Sequence, residues 1–182
     1  QIDNFFDSLD IMLPEIRKIK LHTQNTHEYK KPTWPGYRSN SLYTVKPILW
    51  NHVNAMMTKY KILDKCSWHI NTYVHLRLDK DKNEDWIHTD HDYEFAALIY
   101  LSKTNLDSGT KIYDENENMI NDVKFVQNRF VMYSAKYKHM GYGHHGKNVD
   151  DGRLTLNLFI KKNKKMKKYN IPKSTFIGAS FI

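Results

Sequence analysis

His88 and Asp90 are separated by one residue in the run Trp86-Ile87-His88-Thr89-Asp90. Residues two apart on an extended chain point the same way. An imidazole and a carboxylate placed so can reach one metal ion from one side. A third ligand must come from elsewhere, and His139 is available beyond the run Asn128-Arg129-Phe130-Val131-Met132-Tyr133-Ser134. Two imidazoles and a carboxylate on one face of an octahedral ion leave three positions open. That ligand set suits a non-haem Fe(II) centre that must take a co-substrate and dioxygen.

A second charged group follows in order. Arg153 opens the run Arg153-Leu154-Thr155-Leu156-Asn157-Leu158-Phe159. Its guanidinium could hold a carboxylate in a two-pronged grip that lysine cannot match. Taken singly, each of these residues has an ordinary reading. His88 and Asp90 follow the polar stretch Asn83-Glu84-Asp85 and could sit in a surface turn, and Arg153 could be a surface arginine at a strand start. The ordered set is what carries the chemistry.

Several elements must position these side chains. Phe5, Phe6, Leu9, Met12, Leu13, Ile16 and Ile19 recur at steps of three and four over residues 1–30. This is an amphipathic helix pattern that Pro14 should start or interrupt. Residues 31–44, with Pro32, Pro35, Gly36, Trp34 and Tyr37, read as a loop. A second helix is expected from Pro47, with Leu49, Trp50, Val53, Met56, Met57 and Tyr60 as its stripe. After Asp64 the period becomes two. Trp68, Ile70, Thr72, Val74, Leu76 and Leu78 share one face, and His69, Asn71, Tyr73, His75 and Arg77 the other. The second face could line a site or be wet by solvent. Further strands are expected at 93–102, 110–113, 119–126, 129–134 and 153–160, which points to an all-β barrel or sandwich.

With these residues in order, the chain resembles the Fe(II)- and 2-oxoglutarate-dependent dioxygenases, of the prolyl-hydroxylase-like kind. It is especially similar to small members encoded by bacteriophages. The likeness covers residues 68–162. It implies a mainly β fold, a double-stranded β-helix or jelly-roll, with N-terminal helices packed on one sheet. On this reading residues 1–64 form the helices and the Trp-Pro-Gly loop, 65–162 the catalytic core, and 163–182 a basic tail. The resemblance puts the metal triad on His88, Asp90 and His139. It puts the 2-oxoglutarate carboxylate on Arg153, with Tyr100 and Tyr73 as further co-substrate contacts. Fe(II) and 2-oxoglutarate are the implied cofactors, with ascorbate as a reductant. Two departures stand out. Only Gly109 is present where the family often has two glycines, and the step from His139 to Arg153 is long. The second departure keeps His144 and His145 open as the third ligand. His139 has the family's offset from the preceding strand. His91 should face away from Asp90, in a supporting or substrate-facing position.

Composition limits the rest. The chain of 182 residues carries 28 Lys+Arg against 20 Asp+Glu, a formal charge of +8, and one cysteine, Cys66. An internal disulfide framework and a cysteine-based zinc cluster are excluded. Cys66 reads as a small apolar residue. No secretion leader or membrane segment is expected, and a cytoplasmic setting, the host cytoplasm for a phage protein, follows as the expectation. The first substrate reading is a protein or peptide side chain such as proline. The basic charge keeps a nucleic acid or nucleotide base as an alternative. A non-catalytic jelly-roll of a virion that retains a metal site is a reading from another class.

Overall fold

The computed structural model describes residues 1–27, 34–63, 68–81 and 86–163. Cys66 and the tail beyond Asn163 lie outside the described residues. Three helices come first, α1 Leu9–Arg17, α2 Leu42–Val45 and α3 Pro47–Lys59, with two short strands between α1 and α2, β1 Leu21–His22 and β2 Tyr37–Ser39. The long strand β3 Trp68–Arg77 follows. After it come β4 Phe95–Tyr100, β5 Asn105–Tyr113, β6 Met119–Phe125, β7 Phe130–Ser134, β8 Lys138–Tyr142 and β9 Arg153–Lys162. The strands form two antiparallel sheets. The larger has the order β1-β2-β3-β9-β4-β7 and the smaller β6-β5-β8.

Strict alternation on the larger sheet divides its two faces. Leu154, Leu156, Leu158 and Ile160 of β9 join Val74 and Leu76 of β3 and Ala97 and Ile99 of β4 in one core with the helices. Phe5, Phe6, Leu9, Leu13 and Ile16 come to that core from the N-terminal segment, and Leu49, Val53, Met56 and Met57 from α3. The residues between them, Arg153, Thr155 and Asn157 on β9 and Tyr73, His75 and Arg77 on β3, face the other way, into a cavity. That face is not wet: Tyr73 is 7%, His75 8% and Arg77 2% exposed. The sheet needs an apolar outer face because the helices cover it. It can carry polar groups inside only because they find partners there.

Three expectations differ from what is found. Pro14 lies inside α1 rather than at its start. The carbonyl it deprives of a donor belongs to Asp10, which is exposed and can turn to water, so the helix survives. The loop expected over 31–44 contains β2, whose Tyr37 and Arg38 pair with Leu76 and His75 of β3. Gly36 makes that approach feasible. Its φ is +79°, and an added Cβ would fall 2.5 Å from the Leu76 carbonyl oxygen and from Arg77 Cδ. The expected set of strands omits β8, Lys138–Tyr142, which pairs with β5.

Asn128 fastens the N-terminal segment to the barrel. Its backbone is left-handed, with φ 63°. Its Oδ1 accepts from the Phe6 amide at 2.9 Å, its Nδ2 donates to the Phe6 carbonyl at 2.8 Å, and its own carbonyl accepts from the Phe5 amide at 2.9 Å. Asn128→Ala loses both side-chain bonds and strains the turn, so a loss of about 2–3 kcal/mol in urea unfolding is expected. Asn128→Gly, free of the strain, should lose less. Arg129 next to it grips Asp3 with both prongs, at 2.5 and 2.9 Å. The hydrogen bond to Arg129, opposed by burial and aided by its charge, holds the Asp3 carboxyl below the usual aspartate value. A depressed carboxylate stabilises the fold above the unfolded value, about 3.9, and stops doing so as pH falls through the folded value. Asp3→Asn should therefore be less stable than the parent at pH 7, with the difference closing below about pH 4.

Candidate metal centre

The segment that carries His88 runs beside β8. The His88 amide donates to the His139 carbonyl at 3.0 Å, and the His139 amide donates to the His88 carbonyl at 2.8 Å. A pair that exchanges both backbone bonds sets its Cα atoms about 5.5 Å apart with side chains on one face. The two imidazoles accordingly lie with ring centroids 4.4 Å apart. The Asp90 amide donates to the Ala135 carbonyl at 2.9 Å, which brings its carboxylate to the same side. One ligand atom from each of His88, Asp90 and His139 lies within 4.8 Å of the others.

The donors fit a cation. His88 Nδ1 lies 2.9 Å from the Trp86 carbonyl oxygen and His139 Nδ1 3.2 Å from that of Tyr137. A carbonyl only accepts, so both Nδ1 atoms carry the proton and both Nε2 atoms present a lone pair. His139 Nε2 faces Asp90 Oδ2 at 3.3 Å. Two lone pairs held so close call for a shared proton or metal ion. Burial pushes the Asp90 carboxyl up, but the hydrogen bond to His139 and the charges of His139, His88 and Arg38 outweigh it, and the net shift is down. The carboxylate is thus ready as an anionic ligand at neutral pH.

His144 is drawn elsewhere. Its Nε2 accepts from the Arg77 guanidinium at 2.9 Å. His145 donates through Nδ1 to the Gly143 carbonyl at 3.1 Å and packs edge-on against Phe125. Neither belongs to the three-residue cluster found among the described residues. His91 is exposed, paired with the Thr89 hydroxyl, and does not line the cavity.

The triad opens on a cavity of about 670 Å³ between the sheets. Arg153 lines it, 5% exposed, with Nε donating to Ser108 Oγ at 3.2 Å and a terminal nitrogen donating to the Gly109 carbonyl at 2.9 Å. The single glycine therefore serves twice. Its carbonyl orients Arg153, and a side chain there would strike the Val123 carbonyl oxygen at 2.3 Å. Tyr73 also lines the cavity. Tyr100 does not. Its hydroxyl is turned to Thr110 Oγ1 at 2.9 Å and the Val123 carbonyl at 3.2 Å, and its ring lies 6.0 Å from the Arg153 guanidinium. Tyr100 thus stands behind Arg153, with its hydroxyl held by Thr110 and Val123.

The sequence did not single out two cavity residues. Tyr133 on β7 stands 4.9 Å from the His139 ring, and burial, then the charge of Asp90, raises its hydroxyl well above the ordinary tyrosine value, so it remains an O–H donor. The alternation of Phe130 and Met132 with Val131 and Tyr133 was the available signal. Arg38 lines the cavity from β2, and burial draws its guanidinium down to about 10, still a cation at neutral pH. A three-residue strand offers too little periodicity to have revealed it. Trp34, placed by the sequence in the 31–44 loop, lines the same cavity.

No family model matches this chain, and no curated protein matches it in sequence. Solved structures do match its fold. A 2OG-Fe(II) oxygenase family oxidoreductase from Burkholderia pseudomallei aligns with TM-score 0.63 and 14% identity, over 88% of this chain and 82% of that one. The fold is that of the 2OG-Fe(II) oxygenases. The non-haem α-ketoglutarate-dependent epimerase SnoN from nogalamycin biosynthesis aligns with TM-score 0.62 and 12% identity, over 88% and 76%. A prolyl 4-hydroxylase from Pseudomonas putida aligns with TM-score 0.56 and 13% identity, over 88% and 91%. The two sheets make this double-stranded β-helix, and the helices pack on the apolar face of the larger one. No helix among the described residues is long and apolar enough to cross a membrane.

Co(II) gives a direct reading of the centre. One equivalent should bind, releasing protons as it does so. Loss of a ligand should exceed the roughly 10–100-fold penalty of losing a ligand's supporting partner. His139→Ala and Asp90→Asn should therefore weaken binding by about 100-fold or more, while His144→Ala should leave it within about 3-fold. Visible absorption during titration checks this.

Proposed function

We propose that this protein is an Fe(II)- and 2-oxoglutarate-dependent oxygenase that hydroxylates a C–H bond, with a protein or peptide side chain such as proline as substrate. The observation that carries the reading is the triad of two Nε2 lone pairs and a carboxylate beside a cavity that also contains the buried Arg153. The likeness in fold to 2OG-Fe(II) oxygenases supports the reaction class, and the likeness to the Pseudomonas putida prolyl 4-hydroxylase supports the substrate class. Trp86 and Ile87, 46% and 37% exposed beside His88, are apolar surface against which a polypeptide could lie.

His88, Asp90 and His139 would hold Fe(II), and their placement on one side leaves the other side for co-substrate and oxygen. Bound Fe(II) with 2-oxoglutarate supplies the oxidising chemistry: dioxygen and 2-oxoglutarate are consumed, succinate and carbon dioxide leave, and one oxygen atom enters the substrate. The chain does the rest. Arg153 takes the distal carboxylate of 2-oxoglutarate in a charge-assisted grip, and Ser108 and Gly109 fix its direction. Tyr133 and Thr110, both in the cavity wall, offer hydroxyl donors toward the same region. Arg153 is buried in this wall, which strengthens its contacts.

Succinate release from 2-oxoglutarate, with Fe(II), ascorbate and oxygen, tests the proposal. His139→Ala and Arg153→Ala should each lower turnover by about 100-fold or more, the effect of removing a ligand or a buried charged partner, and His144→Ala should not. Failure of the Fe(II) protein to bind 2-oxoglutarate without oxygen would leave only the non-catalytic reading.

A further inference from the structure

The cavity contains more positive charge than the reaction uses. Arg38, Arg77 and Arg153 line it, with Asp90 the one carboxylate among the described lining residues. Arg77 is offset by Asp81 at 3.5 Å. The charges of Fe(II) and of the 2-oxoglutarate dianion cancel. Asp90, whose charge reaches Arg38, offsets one of the two remaining arginines, so one positive charge is left over. Arg153 is assigned to the co-substrate, and Arg38 is the arginine with no assigned ligand.

Its surroundings are unlike those of a structural arginine. The guanidinium sits among aromatic rings, 4.8 Å from the centroid of Trp34, 5.5 Å from Tyr73 and 5.7 Å from Phe159. Rings favour its flat faces but accept nothing from its in-plane N–H groups. Nε is buried without a hydrogen-bond partner among the described residues. The neighbouring His75 cannot serve as its counter-charge. Burial, then the charge of Arg38 itself, keeps that imidazole neutral, and its Nε2 donates to the Pro35 carbonyl at 2.7 Å.

Arg38 and Arg153 also stand apart. Arg38 pairs with His75, and Arg153 pairs with Arg77. The two are therefore two strands apart across the sheet and one same-face step apart along it, about 12 Å between backbones. One carboxylate does not suit both, whereas two carboxylates on two molecules do.

We propose that Arg38, framed by Trp34, Tyr73 and Phe159, is a second anion subsite that takes a carboxylate of the primary substrate. The proposal rests on the oxygenase reading and narrows its substrate to carboxylate-bearing molecules. The carboxylate has two sources, an acidic side chain near the target residue of a peptide or the α-carboxylate of a free amino acid. The rings hold the guanidinium edge toward the cavity, and the substrate docks against that edge with the Arg153 position already filled.

The test is calorimetric titration, without oxygen, of the protein loaded with Mn(II) and 2-oxoglutarate. One arm uses proline-containing dodecapeptides with Glu or Gln beside the proline. The other uses the twenty free amino acids against their carboxamides. In one arm, acid forms should bind at least about 10-fold more tightly than the uncharged forms, the range of a charge-assisted hydrogen bond. The arm that responds identifies the source. Arg38→Gln should abolish the preference and leave 2-oxoglutarate affinity unchanged, and Arg38→Lys should restore part of it. Equal response to charged and uncharged forms in both arms, including none, overturns the proposal alone. A loss of 2-oxoglutarate affinity in Arg38→Gln also overturns it, by reassigning Arg38 to the co-substrate. No uptake of 2-oxoglutarate by the wild type sinks the oxygenase reading, and the subsite with it.

Discussion

The pair of backbone hydrogen bonds between His88 and His139 is the constraint on which the candidate centre depends. It joins a segment outside the named strands to the edge of the smaller sheet. Both imidazoles then project from adjacent positions on one face, and the carboxylate two residues beyond His88 follows them. Each histidine directs its Nδ1 proton to a carbonyl two residues back. The backbone therefore sets both position and tautomer. Such a centre is prepared before any ion arrives, with His139 Nε2 and Asp90 Oδ2 already 3.3 Å apart.

The larger sheet solves a different problem. It must give the helices an apolar face and the cavity a polar one, and strand pleating does both with the same residues in alternation. Leu154, Leu156 and Leu158 anchor β9 to the helices while Arg153, Thr155 and Asn157 face inward. A one-residue slip would exchange the faces, burying arginine against leucine, so the register of all ten β3–β9 pairs from Trp68↔Lys162 to Arg77↔Arg153 is strongly held. Asn128 and the Asp3–Arg129 pair then fix where the N-terminal segment meets this sheet.

Charge inside the cavity is managed by pairing and by aromatic faces. Arg77 has Asp81 and His144, and Arg153 has Ser108 and Gly109. Arg38 lies among the rings of Trp34, Tyr73 and Phe159, a setting that keeps a cation in place, and the Asp90 charge reaches it from the metal centre. Polar groups in a site of low dielectric are strong partners for whatever complements them.

The sequence by itself determined the two faces of β3, the presence of strands near β4 and β9, the start of α3 at Pro47, and the order His88, Asp90, His139, Arg153, because pleat periodicity and helix signals are local. Local signals also misled where packing prevailed. Pro14 stays within a helix whose unsatisfied carbonyl is exposed, and residues 37–39 become a strand because β3 offers them an edge. Only the tertiary structure separates His139 from His144 and His145, since the His139 backbone bridges to His88 while the His144 imidazole is taken by Arg77. It also turned Tyr100 behind Arg153 and brought Arg38 from a short edge strand into the cavity. Those placements depend on contacts between segments far apart in the chain, and no spacing along the sequence encodes them.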